Sequence, residues 1–157
     1  MPRYWLMKSE PSVFSIEHLA RAPEQTTFWD GVRNFQARNL LRDEIKLGDQ
    51  VFFYHSSASP PAVVGIAKVV QPPSPDPAQF DPKSDYYDAA ATRDQPRWYG
   101  VHIALDRIFP RAVPLDELKQ QPALGKMVLL QRSRLSVQPV TAAEWKAIVR
   151  LADSPAP

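Results

Sequence analysis

Apolar and polar positions change period several times along the chain, and each change marks an element. Residues 3–8, RYWLMK, read as an opening strand that Ser9-Glu10-Pro11 stops. Ser15 is placed to cap a short helix carrying Ile16, Leu19 and Ala20. Thr26, Thr27 and Phe28 form a brief extended piece. Asn34 is placed to cap the next helix, where Ala37, Leu40, Leu41 and Ile45 recur at helical spacing. Residues 50–55, QVFFYH, alternate with Val51, Phe53 and His55 on one side, so His55 points where the apolar residues point. Ala62 to Val70 is a β-branched strand interrupted by Gly65, which predicts a bulge, a bend or a close backbone approach. Tyr99 to Ile108 is a third long strand, and Leu135 to Val140 pairs as the last. Pro114 opens a small helix with Leu115 and Leu118. Thr141 and Glu144 form a capping box for a final helix that buries Trp145, Ile148, Val149 and Ala152.

Strands dominate, the helices are short and peripheral, and βαβ alternation is absent. The expected class is α+β, a mostly antiparallel curled sheet or barrel surrounded by short helices. No repeat or linker divides the 157 residues, so one domain is expected over 1–151, with a short tail at 152–157. Residues 71–97 form the longest irregular segment, rich in proline and aspartate, and segments of that length are often functional.

Composition removes several chemistries. There are no cysteines, which excludes disulfides, thiol nucleophiles and thiolate metal sites and fits a cytoplasmic location. No stretch is apolar enough for a signal peptide or a membrane span. The five glycines are isolated and build no phosphate loop. His18, His55 and His102 lack metal-ligand spacing, so neither metal nor cofactor is expected. No catalytic constellation is visible, although one assembled from distant residues would not be. The formal charge of +2 is too small to identify a nucleic-acid binder. The aspartates of 76–94 and the cations Lys126, Arg132 and Arg134 predict an acidic loop apart from a mildly basic face.

The candidate chemistry concentrates in Trp29 to Asn39, WDGVRNFQARN. An exposed-looking aromatic, a glycine turn, arginines and amides are poor core material and good material for gripping a flat anionic ligand such as a nucleotide. A tryptophan beside a turn also suits a core edge; the neighbouring Arg33, Asn34, Gln36 and Arg38 favour the ligand. Val32 and Asn39 belong to the same stretch. Arg38 and Arg42, one turn apart, lie off the apolar face and are expected to stay available. Lys8 and Ser9 end the first strand, and Ser56 ends the second, where a hydroxyl can meet a base edge. His55 is more often a satisfied core histidine and is kept as a pocket-wall candidate. Tyr86 and Tyr87 read as a satellite cluster pinning the long loop, while Trp98 is a candidate second wall facing Trp29. Gln131 to Ser136 alternates basic and small residues, which suits a phosphate track or a solvated strand edge.

Six blocks together resemble the EVE domain, a PUA-like family related to the YTH domains: YWLMKSEP at 4–11, WDGVRNFQARN at 29–39, GDQVFFYHS at 48–56, VVGIAKVV at 63–70, FDPKSDYYD at 80–88 and RLSVQPV at 134–140. The match runs from Tyr4 to about Ile148. The resemblance implies a pocket accepting a modified nucleobase, typically a modified cytosine, swung out of its strand. It implies Trp29 as first wall, Ser9 and Ser56 near the base, and Arg33, Asn34 and Arg38 on the base edge or backbone. Arg134, Leu135 and Ser136 would lie near the flanking phosphates. The expected partner is modified DNA or RNA, read by a monomer without turnover; the rivals are an enzyme acting on a flipped base, with His55 or Asp30 as acid or base, and a protein-interaction adaptor docking through the acidic loop. The insert at 71–77 and the tail are expected to carry no site.

Overall fold

The computed structural model describes residues 2–131 and 134–157. The phosphate track expected at 131–136 therefore lies partly outside them, at Arg132 and Ser133. The strands are β1 (Tyr4–Ser9), β2 (Thr26–Trp29), β3 (Gln50–His55), β4 (Ala62–Val69), β5 (Ser74–Pro75), β6 (Tyr99–Pro114) and β7 (Val137–Val140). The helices are α1 (Ile16–Arg21), α2 (Phe35–Asp43), α3 (Leu115–Lys119), α4 (Val128–Gln131) and α5 (Ala142–Ala152). Strand order is β2-β6-β4-β3-β1-β7, with β5 beside the start of β6. The sheet is open and bent: β2 and β7 form its edges and do not close a barrel. Among the described residues no helix is long and apolar enough to cross a membrane.

Every pairing is antiparallel but one. β1 and β3 run parallel, Tyr4 opposite Gln50 through Ser9 opposite His55, and the intervening chain crosses over through α1, β2 and α2. A parallel neighbour requires such a crossover. The sequence pattern missed it because β2 breaks the alternation.

Alternating side chains of the central strands serve two cores, one on each face. Trp5, Met7, Val51 and Phe53 pack with Ile16 and Leu19 of α1 and Ala37 and Leu41 of α2. Leu6, Phe52 and Tyr54 pack with Leu118, Trp145 and Ile148. Residues 51–54 are therefore all buried, and Phe52 stacks on Trp145 with ring centres 3.8 Å apart. Asp49, 3% exposed, ties the strand starts together. It accepts from the Arg3 and Lys46 backbone N–H groups and from the Trp5 indole, so a buried carboxylate is fully satisfied.

The helix starts follow the expected chemistry. Ser15 caps α1, Asn34 caps α2, and Thr141 with Glu144 forms the capping box of α5. β6 runs six residues past the expected end, to Pro114. Pro110 falls within the shift between the Gly65–Ile108 and Val63–Val113 pairs, where a missing N–H breaks no ladder bond. Gly65 marks that shift, and a side chain there would meet the Arg107 carbonyl and the Ile16 side chain. Val149 is half-exposed rather than buried.

His55 belongs to this framework. Its Nε2 accepts the Ile16 N–H at the start of α1, and its ring meets Phe53 edge-on. Burial holds its pKa below the ordinary value, against an opposing pull from Glu17.

Two outcomes follow from these contacts. Gly65→Ala lowers the urea midpoint, by roughly 1–3 kcal/mol of stability, because the added methyl overpacks against backbone. Stability also falls as pH drops below about 6.5, where the unfolded His55 takes up a proton that the folded ring resists. Denaturation midpoints between pH 7.5 and 5 measure this slope. His55→Gln, which keeps an acceptor for Ile16 but cannot titrate, shows a shallower one.

Candidate nucleic-acid interface

Because β1 and β3 are parallel, their carboxyl ends meet at one place, a common position for ligand crevices in sheets with parallel strands. The Ser56 N–H donates to the Ser9 carbonyl, and the Lys8 N–H to the Ser136 carbonyl. The Ser9 hydroxyl donates to the Phe14 carbonyl at 2.6 Å and fixes the turn that follows β1. A cleft of about 670 Å³ opens there. Lys8, Ser9 and Glu10 line it on one side, with Val13 and Phe14 from the turn. Thr27 to Trp29 of β2, the Asp30–Asn34 loop, Ser56, Tyr86 and Ser136 complete the lining.

Trp29 is 8% exposed and belongs to the first core, its ring edge-on to Phe53 at 5.4 Å. The expectation of an exposed aromatic is thus corrected: the indole is anchored in the interior and only its remaining surface faces the cleft. Next to it the chain turns at Gly31, whose φ of 78° suits glycine. A Cβ there would come within 2.7 Å of the Tyr86 ring. Tyr86, read from sequence as part of a satellite cluster, instead roofs the turn beside Trp29.

A buried carboxylate holds this corner. Asp76 is 0% exposed and accepts from the N–H groups of Gly31 and Ala78 and from Arg33 Nη1 at 3.0 Å. Arg33 also donates Nε and Nη2 to the Tyr86 carbonyl and Nη1 to the Val32 carbonyl. Its guanidinium lies over the Tyr86 and Trp98 rings. Arg33 lines the cleft, but its donors are engaged in fastening residues 76–86 to the Gly31 turn.

Two ionisable groups of the lining are perturbed. Burial lowers the pKa of Lys8. Burial, then the charge of Asp76, raises that of Asp30, against the smaller effects of its own backbone and Arg33.

Of the residues proposed from sequence, Lys8, Ser9, Trp29, Val32, Arg33, Asn34, Ser56 and Ser136 come together at the cleft. The others do not line it. Trp98 is buried, stacked on Phe35 at 4.7 Å, with its indole N–H on Asp88, so it is not a wall facing Trp29. His55 is turned inward to Ile16. Gln36 and Asn39 are exposed on α2, and Asn39 accepts from Arg38. Arg38 also donates to the Arg97 carbonyl, and the exposed Arg42 pairs with Asp43 at the surface, so both carry partners within the chain. Arg134 is exposed in the turn before β7, and Leu135 is buried in the first core.

Sequence reasoning missed Val13, Phe14, Thr27 and Phe28 as lining residues; it gave Tyr86 no binding role and Asp30 a role only as acid or base in the rival enzyme reading. Asp30 lay inside the WDGVRN block. For Tyr86 the only signal was its place in the FDPKSDYYD block. Among the described residues no group of three or more histidines, aspartates and glutamates is arranged to hold a metal.

The model of the EVE domain family matches residues 3–151. Human thymocyte nuclear protein 1 is 42% identical over 165 residues, covering 94% of this chain and 73% of the relative. A crystal structure of a Pseudomonas putida protein superimposes with a TM-score of 0.90 at 51% identity, over 95% of this chain and 99% of that one. A crystal structure of human THYN1 in complex with DNA containing 5-methylcytosine gives 0.92 at 42% identity, over 98% and 99%. On the extent of the family match and the identity to these relatives, this chain belongs to the EVE domain family.

Proposed function

We propose that this protein binds DNA carrying a modified cytosine, 5-methylcytosine being the reference case, and takes the base out of its strand into the cleft beside Trp29 without reacting with it. One observation carries the reading. An indole-walled cleft sits at the meeting carboxyl ends of β1 and β3, in a chain that superimposes along 98% of its length on human THYN1, which was crystallised with 5-methylcytosine DNA.

The energetics are consistent with binding. Extruding a base costs a few kcal/mol, and stacking on an aromatic returns roughly 1–3 kcal/mol. Trp29 is suited to this because Phe53 and the core hold its ring, so little side-chain entropy is lost on binding. The partly desolvated Lys8 ammonium suits a base carbonyl or a phosphate more strongly than a fully hydrated one. Apolar lining from Val13, Phe14, Phe28 and Val32 offers a surface for a methyl group, and one methyl in a fitted pocket discriminates by about 1–3 kcal/mol.

The lining favours binding over turnover. It contains no histidine, the Ser9 hydroxyl is committed to the Phe14 carbonyl, and no base stands within hydrogen-bond reach of a nucleophile in the described contacts. The relatives' name includes the word nuclear; a chain without cysteines suits the reducing nucleus as well as the cytoplasm.

Anisotropy titration of labelled oligonucleotides, identical but for one cytosine or 5-methylcytosine, tests the proposal. The modified strand binds tighter by roughly ten- to a hundredfold; equal affinities sink the reading. Trp29→Phe is the informative wall variant. Trp29→Ala would open a core cavity costing about 3–5 kcal/mol, so lost binding there would not separate a pocket role from a folding defect. Trp29→Phe weakens modified and unmodified strands several-fold, losing part of the ~1–3 kcal/mol stacking term, with a small drop in melting temperature. Unchanged affinity would remove the indole from the base-binding surface.

A further inference from the structure

A cleft that selects a 5-methylated pyrimidine by shape meets a second candidate with the same outline. Thymine has the same ring and the same methyl group as 5-methylcytosine. The two differ at position 4, where cytosine carries an amino donor and thymine a carbonyl acceptor. At ring position 3, cytosine presents a bare nitrogen and thymine an N–H. Stacking on Trp29 and apolar contact with the methyl group are nearly blind to this difference. Discrimination needs a group of fixed hydrogen-bonding sense at the edge of the stacked ring.

Resting on the binding reading above, we propose that Asp30 is that group: its carboxylate accepts the cytosine amino group and rejects the thymine carbonyl. An ionised carboxylate only accepts, so a carbonyl facing it meets lone pairs and negative charge.

Two observations and one physical argument carry the assignment. Asp30 lines the same cleft as Trp29, which it follows directly in the chain. Among the described residues its carboxylate takes part in no ion pair. The nearby cation, Arg33, spends its donors on Asp76, Val32 and Tyr86. Finally, an unpaired carboxylate is unfavourable beside a polyanion unless it meets a donor. Its neighbours sharpen the point: burial and the Asp76 charge make Asp30 more basic than an ordinary aspartate, hence a stronger acceptor. Glu10 is the other carboxylate of the lining. It follows β1, far from Asp30 in the chain, and serves as the control.

The experiment compares oligonucleotides that differ at one position, 5-methylcytosine, cytosine or thymine, against the wild type, Asp30→Asn and Glu10→Gln. Asparagine presents both a donor and an acceptor and accommodates either edge. The wild type binds the thymine strand at least about tenfold more weakly than the 5-methylcytosine strand. Asp30→Asn narrows that gap to about threefold or less, which is below the discrimination of one good base-edge contact. Glu10→Gln leaves it in place, and the Asp30→Asn melting temperature is unchanged because no ion pair is lost. A wild type blind to thymine, an Asp30→Asn protein that keeps the gap, or a collapse in Glu10→Gln instead overturns the assignment. If methylation does not matter but the cytosine–thymine gap exists and collapses in Asp30→Asn, the methyl-reading function falls and Asp30 stands. If methylation matters and the gap survives in Asp30→Asn, Asp30 falls and the function stands. Absence of binding to all three strands overturns both.

Discussion

The parallel pairing of β1 with β3 is the constraint on which the rest depends. It aligns Ser9 with His55 and brings two strand ends to one rim. All the other pairings are antiparallel, and strands so paired end at opposite rims. The crossover that parallel pairing requires carries α1, β2 and α2 across one face. It thereby supplies both a core for that face and the WDGVRN loop that walls the cleft. The same residues that satisfy the topology build the site. His55 shows the economy: it lies at a strand end beside the cleft, yet it serves the start of α1 through the Ile16 N–H.

A second constraint acts on the long segment after β4. A stretch rich in proline and aspartate has little apolar surface with which to fold back on the sheet. Buried polar groups do this instead. Asp76 gathers Gly31, Ala78 and Arg33. Gln79, fully buried, donates to the Asp76 and Trp98 carbonyls and accepts from the Arg97 and Trp98 N–H groups. Such a network is favourable because every member is matched, and breaking one half of a buried pair typically costs about 3–5 kcal/mol. Tyr86 reaches the cleft only because this network holds the segment in place.

What could be read from the sequence follows from which interactions are local. Caps at Ser15, Asn34 and Thr141 and the alternation along β3 are written in residues a few positions apart, and the pattern displayed them; the bulge at Gly65 depends on remote Arg107 and Ile16 and showed only through the glycine itself. So did the clustering of Lys8, Ser9 and the Trp29–Asn34 stretch, through residue type and resemblance. The misplacements share a different cause. Trp98, Arg38 and Arg42 were judged by their chemistry, but a side chain's availability depends on partners that composition does not reveal. Trp98 found Phe35 and Asp88, Arg38 found the Arg97 carbonyl, and Arg42 found Asp43. Trp29 looked exposed because polar residues surround it in sequence, while in space it rests on Phe53. The parallel register was hidden because a short edge strand interrupts the crossover.

The engagement of Arg33 has a bearing on how such a protein would search a genome. Non-specific retention on duplex grows with the number of phosphates neutralised and the counterions thereby released. Here the guanidinium nearest the cleft is spent inside the fold, and those of α2 are tied to Asn39, the Arg97 carbonyl and Asp43. Retention on unmodified stretches would then fall to cations outside this cluster, such as Lys8 in the cleft and the exposed Arg134. On the proposed reading, dwell time at a matching site would then owe more to the captured base than to Arg33 or the arginines of α2.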